Sequence, residues 1–95
     1  MNMHNPPHPG EFIREVYLDS LKVSYRTVAM KLNVSPSTFN RLIRGQSSIS
    51  SEMALRLSKT LGRSPESWLT MQNNYDLWIA RQKINLDKVE KLAVA

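Results

Sequence analysis

The chain of 95 residues contains no cysteine, only three glycines and no long apolar run. The missing cysteine excludes disulfide frameworks, thiolate metal sites and thiol nucleophiles, and it is typical of a protein that works in a reducing cytoplasm. Because the chain has no glycine-rich phosphate loop, we expect no nucleotide cofactor. No apolar run approaches the roughly 18 residues that span a bilayer, and the first ten residues lack the pattern of a signal peptide. We therefore expect neither export nor membrane insertion.

Residue sets that perform catalysis or bind metals are also missing. His4 and His8 are four residues apart, but Pro6 and Pro7 between them exclude the helical spacing that a metal site would use. The eight carboxylates are scattered along the chain, and none pairs with a nucleophile or a second acid in a catalytic pattern. The sequence thus predicts no metal site, no cofactor and no enzymatic activity.

Acidic residues are absent from one internal block of 32 residues, from Ser20 to Ser51, which holds five of the 13 Lys and Arg. The rest of the chain carries eight residues of each sign, so the whole net charge of +5 lies in this block. A solvated basic face is one explanation, and a binding site for a polyanion is the other. Nucleic acid is therefore the first partner that the charge pattern indicates.

The apolar residues recur with helical spacing throughout, and no segment alternates with period two, so the sequence predicts an all-α fold in a single domain. Met1 to Pro9 holds three of the five prolines and is predicted to be a flexible arm, 10–82 to be the folded domain, and 83–95 to be a tail. Serines and prolines at Ser24, Ser35–Pro36 and Ser64–Pro65 mark helix starts. The predicted helices are 10–21, 25–32, 36–44, 51–61 and 65–82, with a final weak helix over 86–92.

The second and third helices, joined by a short turn, have the shape of a helix-turn-helix unit. The third helix places its apolar residues on one side and a polar, basic face on the other. Such a face can enter a major groove, where arginine binds guanine edges. Arg41 is the leading base-reading residue, whereas Arg44 is either a phosphate contact or a favourable charge at the helix end. The predicted DNA-binding residues are Arg26, Ser35, Ser37, Thr38, Asn40, Arg41, Arg44 and Ser47; capping and turn formation are the alternative role of each serine.

The fifth helix is apolar on more than one side. One stripe, which includes Trp68, Tyr75 and Trp78, is wide enough to close the core, while Leu69 and Leu77 lie off that stripe. Excess apolar surface on a small domain favours a partner, and a homodimer would supply a second half-site about 34 Å away. The predicted dimerisation residues are Trp68, Leu69, Tyr75, Leu77 and Trp78, with the side of the helix left open.

Three segments resemble one known family in order and spacing: PGEFIREVYLDSL, VAMKLNVSPSTFNRLIRGQ and ISSEMALRLSKTLGRSPESWLTMQNNYDLW. They are similar to the HigA antitoxins, which are related to virulence-associated protein I and belong to the lambda-repressor-like, XRE-type helix-turn-helix proteins. The resemblance covers roughly residues 9 to 80. It implies a five-helix DNA-binding domain, with Ser35, Ser37, Asn40 and Arg41 at the operator.

The resemblance further implies a cytoplasmic homodimer that binds a palindromic operator, represses its own toxin-antitoxin operon and neutralises a HigB-type, mRNA-cleaving toxin. Two features depart from the family pattern: Asn33 stands where relatives commonly have glycine, and the loop GQSSIS lacks a common lysine or arginine. Two alternatives stay open. One is an XRE-type transcriptional regulator without a toxin, and the other is a toxin-binding module with weak DNA binding.

Overall fold

The computed structural model describes residues 5–93, and over this range the chain forms five helices and no strand. The predicted all-α, five-helix fold is confirmed. The first helix, α1, begins as a regular α-helix and continues as a wider π-helical segment. The bounds are Pro9–Ile13 and Arg14–Asp19 for the two parts of α1, Tyr25–Leu32 for α2, Pro36–Ile43 for α3, Ser51–Leu61 for α4 and Pro65–Lys83 for α5.

Serine hydroxyls begin four of the five helices. Each accepts a hydrogen bond from the backbone N–H three residues further on, at 3.0 to 3.2 Å, and so satisfies a donor that has no partner inside the helix. These N-terminal caps are Ser24, Ser35, Ser50 and Ser64. The caps predicted at Ser24, Ser35 and Ser64 are confirmed, because local chemistry alone decides them.

The core lies between all five helices. α4 packs along α5, α2 along α3, and α1 against both α3 and α5. Residues without solvent exposure include Ile13, Phe39, Leu57 and Trp68. Regular helical spacing would place Val16 on the same apolar stripe as Ile13, but Val16 is exposed, since the π-helical segment changes the angular position of the residues that follow Ile13.

Residues 84–93 form no helix and contain one turn, at 87–88. The short additional helix predicted over 86–92 is therefore wrong. Its apolar residues Leu86, Val89 and Leu92 are all exposed, so nothing in the protomer covers them. An isolated helix of about seven residues is unstable in water without tertiary packing, which explains why the apolar spacing alone does not form one here.

The predicted N-terminal arm lies partly outside the described residues, which begin at Asn5. Residues 5–8 belong to no helix, yet Pro6, His8 and Pro9 are buried. His8 accepts a hydrogen bond from the backbone N–H of Gly10 at 2.9 Å and so caps α1. The sequence placed His8 in an arm outside the folded domain, and this hydrogen bond corrects that prediction.

Neither a membrane-spanning helix nor a metal-binding group of side chains is found in the described part of the chain. No helix within residues 5–93 is both long and apolar enough to cross a membrane. The same residues contain no group of three or more histidine, aspartate or glutamate side chains that could hold a metal ion. His4, the other residue of the histidine pair, lies outside the described residues.

Candidate nucleic-acid interface

The turn between α2 and α3 is built from three residues. Asn33 adopts the left-handed conformation, with φ 59° and ψ 44°, and its N–H donates to the carbonyl of Met30 at 3.1 Å. Val34 is half-buried, and its N–H donates to the carbonyl of Ala29 at 3.1 Å. Asparagine tolerates this conformation better than most residues, so the missing glycine leaves the turn intact. The helix-turn-helix unit predicted from the sequence is thereby confirmed as a backbone arrangement.

The third helix has two opposite faces. Phe39, Leu42 and Ile43 are buried against the core, as predicted. On the opposite side Ser37, Thr38, Arg41 and Arg44 are exposed, and Asn40 between the two sides is half-buried. A helix whose inner face is fixed by the core and whose outer face is free and basic has the geometry that major-groove recognition requires.

At the start of α3 three hydroxyl groups are grouped together. The Ser35 hydroxyl accepts from the N–H of Thr38 at 3.2 Å and donates to the Thr38 hydroxyl at 2.8 Å, with the Ser37 hydroxyl 3.3 Å away. Ser35 is therefore a helix cap, which is the alternative role that the sequence left open, and all three residues are exposed. The group lies at the positive end of the helix dipole, where a phosphate is electrostatically favoured.

Arg26 and Ser47 lie on other elements. Arg26, on the first turn of α2, is exposed, and its guanidinium carbon lies 5.3 Å from the centre of the Tyr25 ring. Ser47 is half-buried in the loop between α3 and α4. That loop is held by the backbone N–H of Ile49, which donates to the side chain of Gln72 at 2.9 Å.

The three arginines that the sequence assigns to DNA binding form no ion pair with any described residue. Within residues 5–93 the only ion pair joins Arg56 to Glu52, at 3.0 Å. Arg26, Arg41 and Arg44 thus keep their charge available for an external anion. Exposed arginines without an ion-pair partner are what an anion-binding surface requires.

Two arginines missed by the sequence reasoning hold the helix-turn-helix unit from outside it. Arg56 on α4 donates to the carbonyls of Leu32 and Asn33, at 2.8 and 3.2 Å. Arg14 on α1 donates to the carbonyl of Ile43 at 3.0 Å. Neither contact has a local sequence signal, because each arginine and its acceptors are more than 20 residues apart.

The structure divides the five predicted dimerisation residues between the core and the surface. Trp68 is 0% exposed, and its indole N–H donates to the carbonyl of Gly62 at 2.9 Å. It is a core residue of the protomer, so its assignment to a dimer contact is corrected. Leu69, Tyr75 and Trp78 are half-buried, and Tyr75 packs its ring edge-on against His8 at 4.9 Å. Leu77, 49% exposed, is the residue of this set that is available to a partner.

Comparison with known proteins adds an independent line of support. A helix-turn-helix family model matches residues 13–68. The chain is 39% identical over 92 residues to the uncharacterized HTH-type transcriptional regulator YddM of Escherichia coli (strain K12), and the match covers 97% of each chain. It is similar to antitoxin GraA in complex with its operator, with a TM-score of 0.87 and 35% identity over 100% of this chain and 98% of that chain. It is also similar to the Pseudomonas aeruginosa antitoxin HigA with the higBA promoter, with a TM-score of 0.80 and 33% identity over 93% of this chain and 99% of that chain.

Proposed function

Because the chain belongs to the HigA antitoxins of the helix-turn-helix family, we propose that it binds operator DNA as a homodimer, represses its own operon and neutralises a HigB-type toxin. The observation that carries the DNA-binding part is the exposed outer face of α3, which is basic and whose arginines form no ion pair within residues 5–93. This family consists of DNA-binding regulators, so the chain is not an enzyme.

In this proposal the outer face of α3 reads bases in the major groove. Arg41, exposed in the last turn of α3, is positioned to make paired hydrogen bonds with a guanine edge. Asn40 and Ser37 would make shorter contacts beside it. Thr38 and Ser35 lie at the helix start, where their hydroxyl cluster suits a phosphate oxygen of the groove wall.

Phosphate contacts on both sides of the recognition helix would fix its register. Arg44 directly follows α3, Arg26 lies in the first turn of α2, and Ser47 belongs to the loop after α3. Contacts of this kind add affinity that does not depend on sequence and that falls as salt increases. We propose that residues 10–82 form the DNA-binding unit that carries these contacts.

A second copy of the chain would complete the operator contact, and the outer side of α5 is the surface we assign to it. Thr70, Asn73, Leu77 and Ala80 are exposed and recur at i, i+3, i+7 and i+10, and the exposed Ile84 directly follows the last residue of α5. This is the heptad spacing that pairs two helices, with the small Ala80 allowing close approach. We call these five residues the α5 seam; its exposed leucine and isoleucine support pairing with an identical seam.

The experiment that tests the proposed function is a gel-shift titration on the DNA upstream of this gene, at two salt concentrations, with unrelated duplex DNA as competitor. We expect the wild-type protein to form a tight complex that persists in the presence of competitor DNA and whose affinity falls as salt increases. The Arg41→Ala, Arg44→Ala double variant should lose this binding while it still neutralises the toxin. If the variant and the wild type bind alike, the recognition helix is wrongly assigned, and a toxin-binding module with weak DNA binding is the better description.

A transcriptional regulator without a toxin is the second function worth testing, since YddM is named as a regulator alone and matches 97% of this chain. The neighbouring reading frame separates the two functions. A gene beside this one that encodes a toxin, whose growth arrest is relieved by co-expression of this chain, would support the antitoxin. For either function we place the protein in the cytoplasm, where operator DNA and mRNA are found.

A further inference from the structure

Two helix ends in the helix-turn-helix unit carry backbone carbonyls that no residue of the same helix can satisfy. These are the C-terminal ends of α2 and α3, one before the turn and one after the recognition helix. In both places the missing donor is an arginine from another helix. The helix-turn-helix unit is therefore held to the rest of the domain at two places, at the turn that precedes the recognition helix and at the C-terminal end of that helix, by side chains outside the unit.

At the turn, Arg56 of α4 binds the carbonyls of Leu32 and Asn33 with one guanidinium nitrogen, at 2.8 and 3.2 Å. Its other nitrogens donate to one carboxylate oxygen of Glu52, at 3.0 and 3.2 Å. Thr60 adds a longer contact, its hydroxyl 3.5 Å from the carbonyl of Lys31. Because Glu52 fixes the guanidinium plane, Arg56 ties the end of α2 to one position on α4.

At the other end, Arg14 of α1 donates to the carbonyl of Ile43, the last residue of α3, at 3.0 Å. Gly10 lies one helical turn before Arg14, and a Cβ atom at Gly10 would lie on the backbone of Leu42. The first helix thus approaches α3 very closely at this point. Arg14 ties the end of the recognition helix to α1, one helical turn from this close approach.

We propose that Arg14 and Arg56 are positioning residues for operator recognition: they set the depth and angle of α3 without binding DNA bases themselves. The inference rests on the proposed function, because it concerns how well α3 is aligned with the groove. Paired hydrogen bonds between arginine and guanine tolerate misplacement of only about 0.5 Å. Contacts with phosphates tolerate more, since they are largely electrostatic.

Loss of either arginine therefore affects operator binding more than binding to unrelated DNA. The test uses Arg14→Met and Arg56→Met, which keep an apolar stem but lose the donor and the charge. Arg63→Met is the matched control, because this substitution also removes one charge and one side-chain hydrogen bond. The partner of Arg63 in that hydrogen bond is Ser67, at the start of α5. Binding of each full-length variant to the upstream DNA and to an unrelated duplex is measured by fluorescence anisotropy at four salt concentrations.

We expect Arg14→Met and Arg56→Met to weaken operator binding about tenfold or more relative to Arg63→Met, with less than about a twofold difference on the unrelated duplex. The slope of log affinity against log salt should equal that of the control. Glu52→Gln should produce a smaller loss in the same direction, because it keeps the charge of Arg56 and weakens only its orientation. Arg14→Lys and Arg56→Lys should recover part of the operator binding.

Three results would overturn this inference. Equal losses on both DNA molecules, with a slope smaller by about one than that of the control, would make the arginines phosphate contacts. The second result is that Arg14→Met and Arg56→Met bind the operator as well as Arg63→Met does, while circular dichroism shows them to be folded at the assay temperature. Arg14 and Arg56 would then have a purely structural role. A wild-type protein that does not distinguish the upstream DNA from the unrelated duplex would instead overturn the proposed function and this inference with it.

Discussion

The side chain of Gln72 accepts a hydrogen bond from the backbone N–H of Ile49 at 2.9 Å, and both residues are buried. Its amide nitrogen donates to Asp76 at 2.9 Å, one turn further along α5. A polar side chain that is only 4% exposed therefore has its polar atoms in use. Through this contact α5 fixes the loop that follows the recognition helix and carries Ser47.

Replacement of this glutamine should destabilise the fold. Gln72→Leu leaves the N–H of Ile49 buried without an acceptor, and a group of that kind costs about 1 to 3 kcal/mol. The free energy of unfolding from urea titrations should fall by that amount. Gln82→Leu is the control, because Gln82 is exposed and bonds only to Trp78 within its own helix. Equal stabilities of the two variants would contradict the prediction.

The parts of the fold that the sequence predicts are those decided by local chemistry. Serine caps at Ser24, Ser35 and Ser64, and the left-handed Asn33, depend on hydrogen bonds that span at most four residues. The outer face of α3 follows from helical geometry once the start at Ser35 is known. These features can be predicted from the sequence because residues close to one another in the chain determine them.

The parts that the sequence misses depend on contacts between distant segments. Nothing near Arg56 indicates that its acceptors are the carbonyls at Leu32 and Asn33, and nothing near His8 indicates that a proline-rich stretch packs into the core. The same limit applies to the fifth helix. Periodicity groups Trp68 with the other aromatic residues, but only the packed structure shows which side faces the protomer core.

Gly10 permits the close packing of α1 on α3. Any side chain at this position would meet the carbonyl oxygen of Leu42, which belongs to backbone and cannot move aside. We expect Gly10→Ala to lower the free energy of unfolding by at least about 3 kcal/mol, despite the better helix propensity of alanine. Glu15→Ala, at an exposed position of the same helix, should change stability by less than about 1 kcal/mol. A thermal denaturation of Gly10→Ala that matches wild type would show that α1 and α3 lie further apart.

His8 should make stability depend on pH. Burial lowers the pKa of His8 below its ordinary value of 6.5, against smaller opposing effects of a hydrogen bond to the Ser47 backbone and the carboxylates of Asp76 and Glu11. Between the folded and the ordinary pKa the unfolded chain binds more protons than the folded chain, so stability is complete above pH 6.5 and decreases as the pH falls below it. The loss at pH 5.5 cannot exceed about 1.4 kcal/mol from this group.

The measurement compares urea midpoints at pH 7.5 and pH 5.5 in a background that carries His4→Gln, so that His8 is the only histidine. His8→Asn keeps a side chain that caps helices well and removes the titration. We expect the difference between the two pH values to be smaller in the asparagine variant. An identical pH dependence with and without His8 would mean that other groups cause it.

Substitutions of Arg26 and Arg41 should distinguish a phosphate contact from a base contact. Arg26→Gln is expected to weaken binding to all DNA sequences alike and to reduce the salt slope by about one. Arg41→Gln is expected to cost about 1 to 3 kcal/mol on the operator and to relax the preference at one base pair of each half-site. Anisotropy titrations on the operator and on single-base variants give both quantities. A uniform loss across all base variants for Arg41→Gln would reassign that arginine to the backbone.

The α5 seam should determine the oligomeric state, whereas Trp68 should not. Leu77→Glu places a charge in the centre of the paired α5 seam, and central interface residues contribute about 2 kcal/mol or more, so the dimer should dissociate about 30-fold more readily. The variant should keep the stability of the protomer, because Leu77 is exposed there. Trp68→Ala should instead cost about 3 to 5 kcal/mol of folding free energy. Leu55→Glu, on a leucine of α4 that is 61% exposed, controls for the added charge. Sedimentation velocity over a concentration series decides the matter: a dimer that is lost in Leu55→Glu but retained in Leu77→Glu would move the two-fold contact from α5 to α4.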